Sequence, residues 1–158
     1  MTWGEATPIT MWWRPAIERL WRYNPKFRLI VILRNPITRA FSHWNMETQC
    51  GLETLSFLEA INLEQERCRS VLPSQHRIFS YVDRGFYVGQ LREIWRFFPK
   101  DQVLVLRQEF LAMAPDSMLL EVYKFLGLPP ITFTDVIQVH ARSYDSSVSS
   151  NAYDLLRR

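Results

Sequence analysis

"LIVILRNPITRAFSHW", residues 29–44, passes from a continuous apolar run through Arg34 into a segment with helical spacing. The run FRLIVIL is short, uninterrupted and β-branched, which is typical of a strand buried on both faces. Pro36 suits the first turn of a helix, and four apolar residues then share one helical face: Ile37, Ala40, Phe41 and Trp44. The stretch therefore predicts a strand, a tight turn and a helix.

Similar patterns recur along the chain. QVLVL, residues 102–106, predicts a second buried strand. Four further segments have helical spacing, namely 15–25, about 54–68, 85–98 and 114–127, with Pro99 ending the third and Gly127 ending the fourth. In the third we expect Val88, Leu91, Trp95 and Phe98 to face inward, and the tryptophans at helical spacing to lie in the core. Residues 69–83 are polar and predict a surface loop.

The order of these elements indicates an α/β protein with a parallel sheet. Two strands buried on both faces need neighbouring strands to make a stable sheet. We therefore expect part of the sheet to lie outside residues 1–158, with the domain continuing beyond both ends and the segment NAYDLLRR starting a helix. The alternative is that edge strands occur near 78–82 or 131–137.

Composition narrows the class of protein. The 158 residues are 47% hydrophobic and 14% aromatic, which is typical of one folded globular domain. No apolar run approaches the roughly 20 residues that span a bilayer, and no signal peptide is visible. Cys50 and Cys68 lack metal-ligand spacing, so we expect free thiols, no metal and a cytoplasmic location. The net charge of +3 comes from dispersed Lys and Arg, which does not favour a nucleic-acid partner.

Arg34 and Ser42 are the candidate binding residues. Ligands of open α/β sheets bind beyond the carboxyl ends of the strands, where Arg34 follows the first strand. A guanidinium offers paired donors that match two phosphate oxygens. Ser42 lies about two helical turns after Asn35, so its hydroxyl can donate to the same anion. The alternative is that Arg34 pairs with a carboxylate and Ser42 only packs.

The stretch 29–44 closely resembles the 3′-phosphate-binding segment of the sulfotransferases that use 3′-phosphoadenosine 5′-phosphosulfate (PAPS). In that family an arginine at the strand end and a serine eight residues later hold the 3′-phosphate, and Arg34 and Ser42 match both. The segments WGEATP, SYVDRGFYVGQLREIWRFFPKDQVLVLRQEFLAMAP, YKFLGLPP and SYDSSVSSNAYDLLRR also resemble family segments in the expected order. The likeness is closest to the heparan-sulfate-like and bacterial branch.

This resemblance implies a P-loop-NTPase-like parallel sheet flanked by helices. It implies PAPS as sulfonate donor, 3′,5′-adenosine bisphosphate (PAP) as product and no metal. The acceptor would be a hydroxyl or amine of a carbohydrate or another small molecule. The sequence indicates neither the acceptor nor the oligomeric state.

The resemblance also suggests further residues at the nucleotide pocket. Arg39 follows the family pattern, but it would also serve to brace a carboxylate. Arg84 and Tyr87 start a helix where the family places nucleotide or substrate, with helix packing as the alternative. Glu109 resembles an acidic position whose expected role is a structural hydrogen bond.

Other polar residues are weaker candidates. Glu5 would orient the edge of the site or lie on the surface, and His43 is expected to be neutral and exposed. His76 and His140 fall in loop-like segments.

Three departures from the family pattern bear on activity. We find no lysine-bearing 5′-phosphosulfate loop, Ala6 replaces the lysine of the family's GEKTP element, and the usual catalytic base is expected upstream of residue 1. No catalytic residue is therefore assigned, and the domain is expected to lack that loop and the C-terminal helix. The alternatives are a catalytically inactive sulfotransferase-like remnant or interaction module, and a P-loop kinase-like phosphotransferase.

Overall fold

A computed structural model describes residues 4–130 and 150–157 of the chain. In chain order its main elements are α1 (Arg14–Tyr23), β1 (Leu29–Leu33), α2 (Pro36–Gln49), α3 (Phe57–Asn62), α4 (Glu64–Arg69), α5 (Tyr87–Phe97), β2 (Val103–Arg107), α6 (Gln108–Met113), α7 (Pro115–Leu126) and α8 (Ser150–Leu156). Short 3₁₀ turns occupy Asp83–Gly85 and Lys100–Gln102. No helix in the described ranges is long and apolar enough to cross a membrane.

The chain divides into two compact units, which are described separately. One comprises residues 1–33 and 87–131, and the other comprises 34–86 and 132–158. The first unit contains both strands with α1, α5, α6 and α7, and the second contains α2, α3, α4 and α8.

In the first unit, β1 and β2 pair in parallel, with Leu29 opposite Val103 and Leu33 opposite Arg107. One face of this pair packs on α1 and α5. Its core consists of Ile17, Val31, Ile94, Phe98 and Val103. The parallel pairing with helices packed against it confirms the predicted α/β class.

The prediction that β1 is buried on both faces is wrong. Val31 is buried, but the alternate residues Ile30 and Ile32 are 37% and 54% exposed. Side chains on a strand alternate between the two faces of the sheet. An unbroken apolar run therefore leaves open which face a helix covers, and here α1 and α5 cover the face of Val31.

Helix boundaries follow local signals in most places. Pro15 lies in the first turn of α1, and Gly127 ends α7 with φ +70. The expected helix over 54–68 instead begins at Phe57, because Ser56 and Glu59 form a reciprocal capping box, and a separate helix, α4, follows from Glu64. Helix α6 was not expected from the sequence.

The predicted inward face of α5 is partly wrong. Val88 and Trp95 are 64% and 38% exposed, while Ile94 and Phe98 are fully buried. Trp21 on α1 is also 40% exposed. The prediction that tryptophans at helical spacing lie in the core therefore fails for Trp21 and Trp95.

The second unit buries a segment that the sequence places on the surface. Ser80 and Tyr81 are 1% and 0% exposed, and Tyr81 belongs to a core with Phe41, Phe57 and Ala60. Residues 78–82 form turns rather than an edge strand. The other candidate strand, 131–137, lies outside the described residues.

Candidate functional site

Arg34 lies directly between the last residue of β1 and the start of α2. Asn35 is the N-cap of α2, and its side-chain oxygen accepts hydrogen bonds from the backbone N–H groups of Ile37 (3.0 Å) and Thr38 (3.3 Å). Pro36 occupies the first turn, where a missing N–H is tolerated. The sequence RNP therefore fixes where the helix begins relative to the arginine.

Thr38 orients the guanidinium of Arg34. Arg34 Nε donates to Thr38 Oγ1 at 3.1 Å, and Thr38 Oγ1 donates to the carbonyl of Asn35 at 3.1 Å. Ser42 is one helical turn beyond Thr38, so it lies on the same face of α2. The half-buried Arg34 and Ser42 therefore face the same side of the helix.

The role of Thr38 was not predicted from the sequence. The signal was present in the i, i+4 spacing of Arg34, Thr38 and Ser42. A hydroxyl midway between two anion-binding candidates limits the rotamers of the longer side chain. Such a restraint reduces the entropy that the arginine loses on binding.

Arg39 contacts the main chain of another segment of the same unit. Its guanidinium donates to the backbone carbonyl of Tyr81. The structure thus shows a bracing contact of Arg39 with a backbone carbonyl. The contact joins α2 to the buried segment around Tyr81.

Arg84 is held in a similar way. Its Nε donates to Ser80 Oγ at 3.2 Å, and its Nη2 donates to the carbonyl of Arg77. Burial, together with the nearby charges of Arg39 and Arg77, lowers the pKa of Arg84 to about 10. The group remains charged at neutral pH.

His43 is buried, which corrects the expectation of an exposed imidazole. It is 7% exposed, and its Nε2 lies 3.2 Å from Glu47 Oε1. Burial and the charges of Arg84 and Arg39 lower the pKa of His43 to about 3. The imidazole is therefore neutral at physiological pH, with Nε2–H donating to Glu47.

Two buried glutamates fix the segment that carries Arg84. Glu64 accepts from the backbone N–H groups of Val82 (2.7 Å) and Asp83 (2.9 Å), and its burial raises its pKa. Glu53 accepts from the Tyr81 hydroxyl at 2.8 Å and pairs with Arg67. Burial would raise the pKa of Glu53, but the hydrogen bonds from Arg67, the Leu55 N–H and Tyr81 hold it below its ordinary value.

The turn that ends this segment packs against the start of α2. A Cβ on Gly85 would lie 3.0 Å from the Cβ of Pro36. A cavity of about 130 Å³ lies here, lined mainly by apolar groups of Pro36, Ile37, Ala40, Val82, Gly85, Phe86 and Leu156. The start of α2 therefore has an apolar wall on one side.

Tyr87 and Glu109 lie in the other unit. Tyr87 begins α5 and is half-buried, and Glu109 on α6 lies 3.8 Å from Arg107 Nε. At 3.8 Å this contact is an ion pair of two exposed side chains, and the structural hydrogen bond expected for Glu109 stays a prediction.

The remaining candidates are placed as follows. Glu5 accepts from the Thr7 hydroxyl at 2.6 Å on the surface, beside the exposed Ala6. His76 Nδ1 accepts from the N–H groups of Ile78 and Phe79, and His140 lies outside the described residues. Within residues 4–130 and 150–157, no cluster of His, Cys, Asp or Glu has the arrangement of a metal site.

The family model for the sulfotransferase domain matches residues 16–154. The chain is 32% identical over 124 residues to human heparan sulfate glucosamine 3-O-sulfotransferase 6, covering 78% of this chain and 34% of that protein. It is 30% identical over 127 residues to mouse heparan sulfate glucosamine 3-O-sulfotransferase 3B1, covering 80% and 31% of the two chains. The chain thus spans about a third of the length of these curated relatives.

The fold is similar to the crystal structure of a sulfotransferase from Alicyclobacillus acidocaldarius. The TM-score is 0.79 at 26% identity, covering 97% of this chain and 57% of the other. This likeness confirms the predicted fold class, a P-loop-like parallel sheet flanked by helices, of which this chain has two strands in the described residues. The match of the family model over most of the chain shows that the protein belongs to the sulfotransferase domain family.

Proposed function

We propose that this chain holds the 3′-phosphate of PAPS in a protein that transfers a sulfonate group to a hydroxyl or amine of a carbohydrate. The observation that carries the proposal is the series Arg34, Thr38 and Ser42 at the start of α2, linked by the 3.1 Å hydrogen bond from Arg34 to Thr38. This series supplies a charged and a neutral donor on one side of the helix.

The chemistry of these residues suits a phosphate group. A guanidinium donates two parallel hydrogen bonds to phosphate oxygens and carries a permanent positive charge. The N-terminal end of a helix favours negative charge, and α2 begins two residues after Arg34. Arg39 and Arg84 would add positive potential while their hydrogen bonds to backbone carbonyls keep them in place.

In the proposed reaction the acceptor oxygen or nitrogen forms a bond to sulfur while the bond from sulfur to the 5′-phosphate oxygen breaks. The acceptor proton passes to a base, and PAP leaves. Arg34 and Ser42 would contribute by positioning the donor, since orientation converts an encounter into a near-attack geometry. Neither residue takes part in bond-making, and no catalytic base is assigned.

A carbohydrate acceptor is supported by the relatives. The relatives described above are heparan sulfate glucosamine 3-O-sulfotransferases, and the acceptor of those proteins is a polysaccharide. This chain spans about a third of their length, and we propose a carbohydrate acceptor for it from its similarity to these relatives.

Ala6 favours a second candidate function. The family's GEKTP element carries a lysine where this chain has the exposed Ala6 in GEATP. Loss of that cation is consistent with a sulfotransferase-like remnant that binds nucleotide, or acts as an interaction module, without turnover.

Two measurements separate these possibilities. In the first, the chain is titrated with PAP and with adenosine 5′-monophosphate, and we expect PAP to bind at least about tenfold more tightly because charged hydrogen bonds contribute roughly 1.5–3 kcal/mol. Equal affinity for both nucleotides would contradict the 3′-phosphate site. In the second, release of PAP from PAPS is followed with a polysaccharide acceptor for a protein that joins this chain to a lysine-bearing 5′-phosphosulfate loop. Binding without turnover would favour the remnant.

A further inference from the structure

Two neighbouring helices and the turns that follow them carry more basic than acidic residues. Residues 14–26 and 92–101 contain seven basic residues against three acidic ones, a local net charge of +4. The basic residues are Arg14, Arg19, Arg22, Lys26, Arg92, Arg96 and Lys100, and the acidic ones are Glu18, Glu93 and Asp101. Arg22 pairs with Glu18, and Arg96 pairs with Glu93. All lie in the unit that contains the sheet.

Helices α1 and α5 present these charges on one surface. Both pack on the same face of the sheet, with Ile17 and Ile94 in a common core. The rings of Trp21 on α1 and Phe97 on α5 are 6.0 Å apart, so the helices also touch near their C-terminal ends. We call the solvent-facing side of this helix pair the α1–α5 outer surface.

Aromatic rings are interleaved with the charges. Tyr23 is 83% exposed, and Trp13, Trp21 and Trp95 are each about 40% exposed. Exposed aromatic side chains are enriched at binding surfaces. The surface therefore combines permanent charge with rigid apolar area.

Several of the cations lie over ring faces. The guanidinium of Arg19 is 5.0 Å from the centroid of Trp13, and Lys100 Nζ is 5.5 Å from that of Trp95. Such contacts hold the side chains in place while the charge stays accessible to solvent. The cations are thus preorganised for an anionic partner, which lowers the entropy lost on binding.

We propose that the α1–α5 outer surface binds an anionic polysaccharide. A chain bearing sulfate or carboxylate groups at regular intervals can meet several cations at once, and its sugar rings can pack on the exposed rings of Trp21 and Tyr23.

The proposal rests on the proposed carbohydrate acceptor and adds a contact surface to it. This surface is distinct from Arg34 and Ser42, which belong to the other unit.

The test measures binding of heparin to the chain at several salt concentrations. The surface variant carries Arg19→Gln, Arg92→Gln and Lys100→Gln. A control variant with the same change in net charge carries Arg69→Gln, Lys124→Gln and Arg157→Gln, all at exposed positions outside the α1–α5 outer surface. PAP titration of each protein reports separately on the donor site.

We expect the surface variant to bind heparin roughly tenfold more weakly or worse, with the slope of log K against log salt reduced by about two. The control variant should keep most of its affinity, and PAP binding should be unchanged in both. Equal losses in the two variants, or no heparin binding by the wild-type chain, would overturn the proposal. Duplex DNA or anionic vesicles binding more tightly than heparin would overturn it in favour of another partner. If the wild-type chain binds heparin as expected but does not bind PAP, the result would contradict the proposed function instead.

Discussion

The orienting role of Thr38 predicts that Thr38→Val weakens donor binding while the fold stays intact. Valine has nearly the shape of threonine, so the change removes the acceptor for Arg34 Nε, 3.1 Å away, with little change in volume. A hydrogen bond to a charged group contributes about 1.5–3 kcal/mol when buried, and both partners here are half-buried. We therefore expect a loss of about 0.5–1.5 kcal/mol in PAP affinity, roughly two- to tenfold.

Thr48→Val is the matched control. Thr48 lies near the end of the same helix, and its hydroxyl also donates to a helix carbonyl, that of Trp44 at 3.0 Å. Calorimetric titration with PAP measures affinity, and urea unfolding measures the free energy of unfolding for each variant. Thr38→Ser keeps the hydroxyl and should retain most of the affinity. The reasoning is refuted if the Thr38→Val and Thr48→Val variants bind PAP equally well, or if Thr38→Ser loses as much as Thr38→Val.

Two further predictions concern the fold around the site. Gly85→Ala places a methyl group 3.0 Å from the Cβ of Pro36, so we expect urea unfolding to show a loss of about 1–3 kcal/mol. Gly89→Ala, in open space within α5, should be neutral or stabilising, and a similar loss in both would contradict the packing argument. The pKa values of His43 (about 3) and His76 are lowered, so below pH 6.5 the unfolded state binds more protons. The free energy of unfolding should therefore fall as pH decreases from 6.5 toward 4. If the free energy of unfolding of the His43→Gln variant depends on pH as steeply as that of the wild type, the assignment to His43 would be contradicted.

The strand, turn and helix of residues 29–44 were predictable because their signals are local. Side-chain alternation, Pro36 and the Asn35 cap act within a few residues of one another. The burial of Tyr81 was not predictable in this way. It depends on Glu53, which is 28 positions away in sequence and accepts a hydrogen bond from the Tyr81 hydroxyl.

The candidate site shows the same division between local signals and contacts with residues distant in sequence. The spacing of Arg34 and Ser42, together with the resemblance to the family's 3′-phosphate segment, predicted both residues, and their role in binding stays a prediction. The contacts of Arg39 and Arg84 were missed because their acceptors are backbone carbonyls of Tyr81 and Arg77. Any residue type supplies a carbonyl, so no sequence signal distinguishes such an acceptor.

The central claim is that Arg34 binds the 3′-phosphate of the donor. Its most direct test is a calorimetric titration of the 158-residue chain with PAP, for the wild type, for Arg34→Ala and for the exposed control Arg69→Ala. We expect Arg34→Ala to lose about 1.5–3 kcal/mol of binding free energy, roughly ten- to 150-fold in affinity. The control should bind as the wild type does. Unchanged PAP affinity in a folded Arg34→Ala variant would contradict the claim.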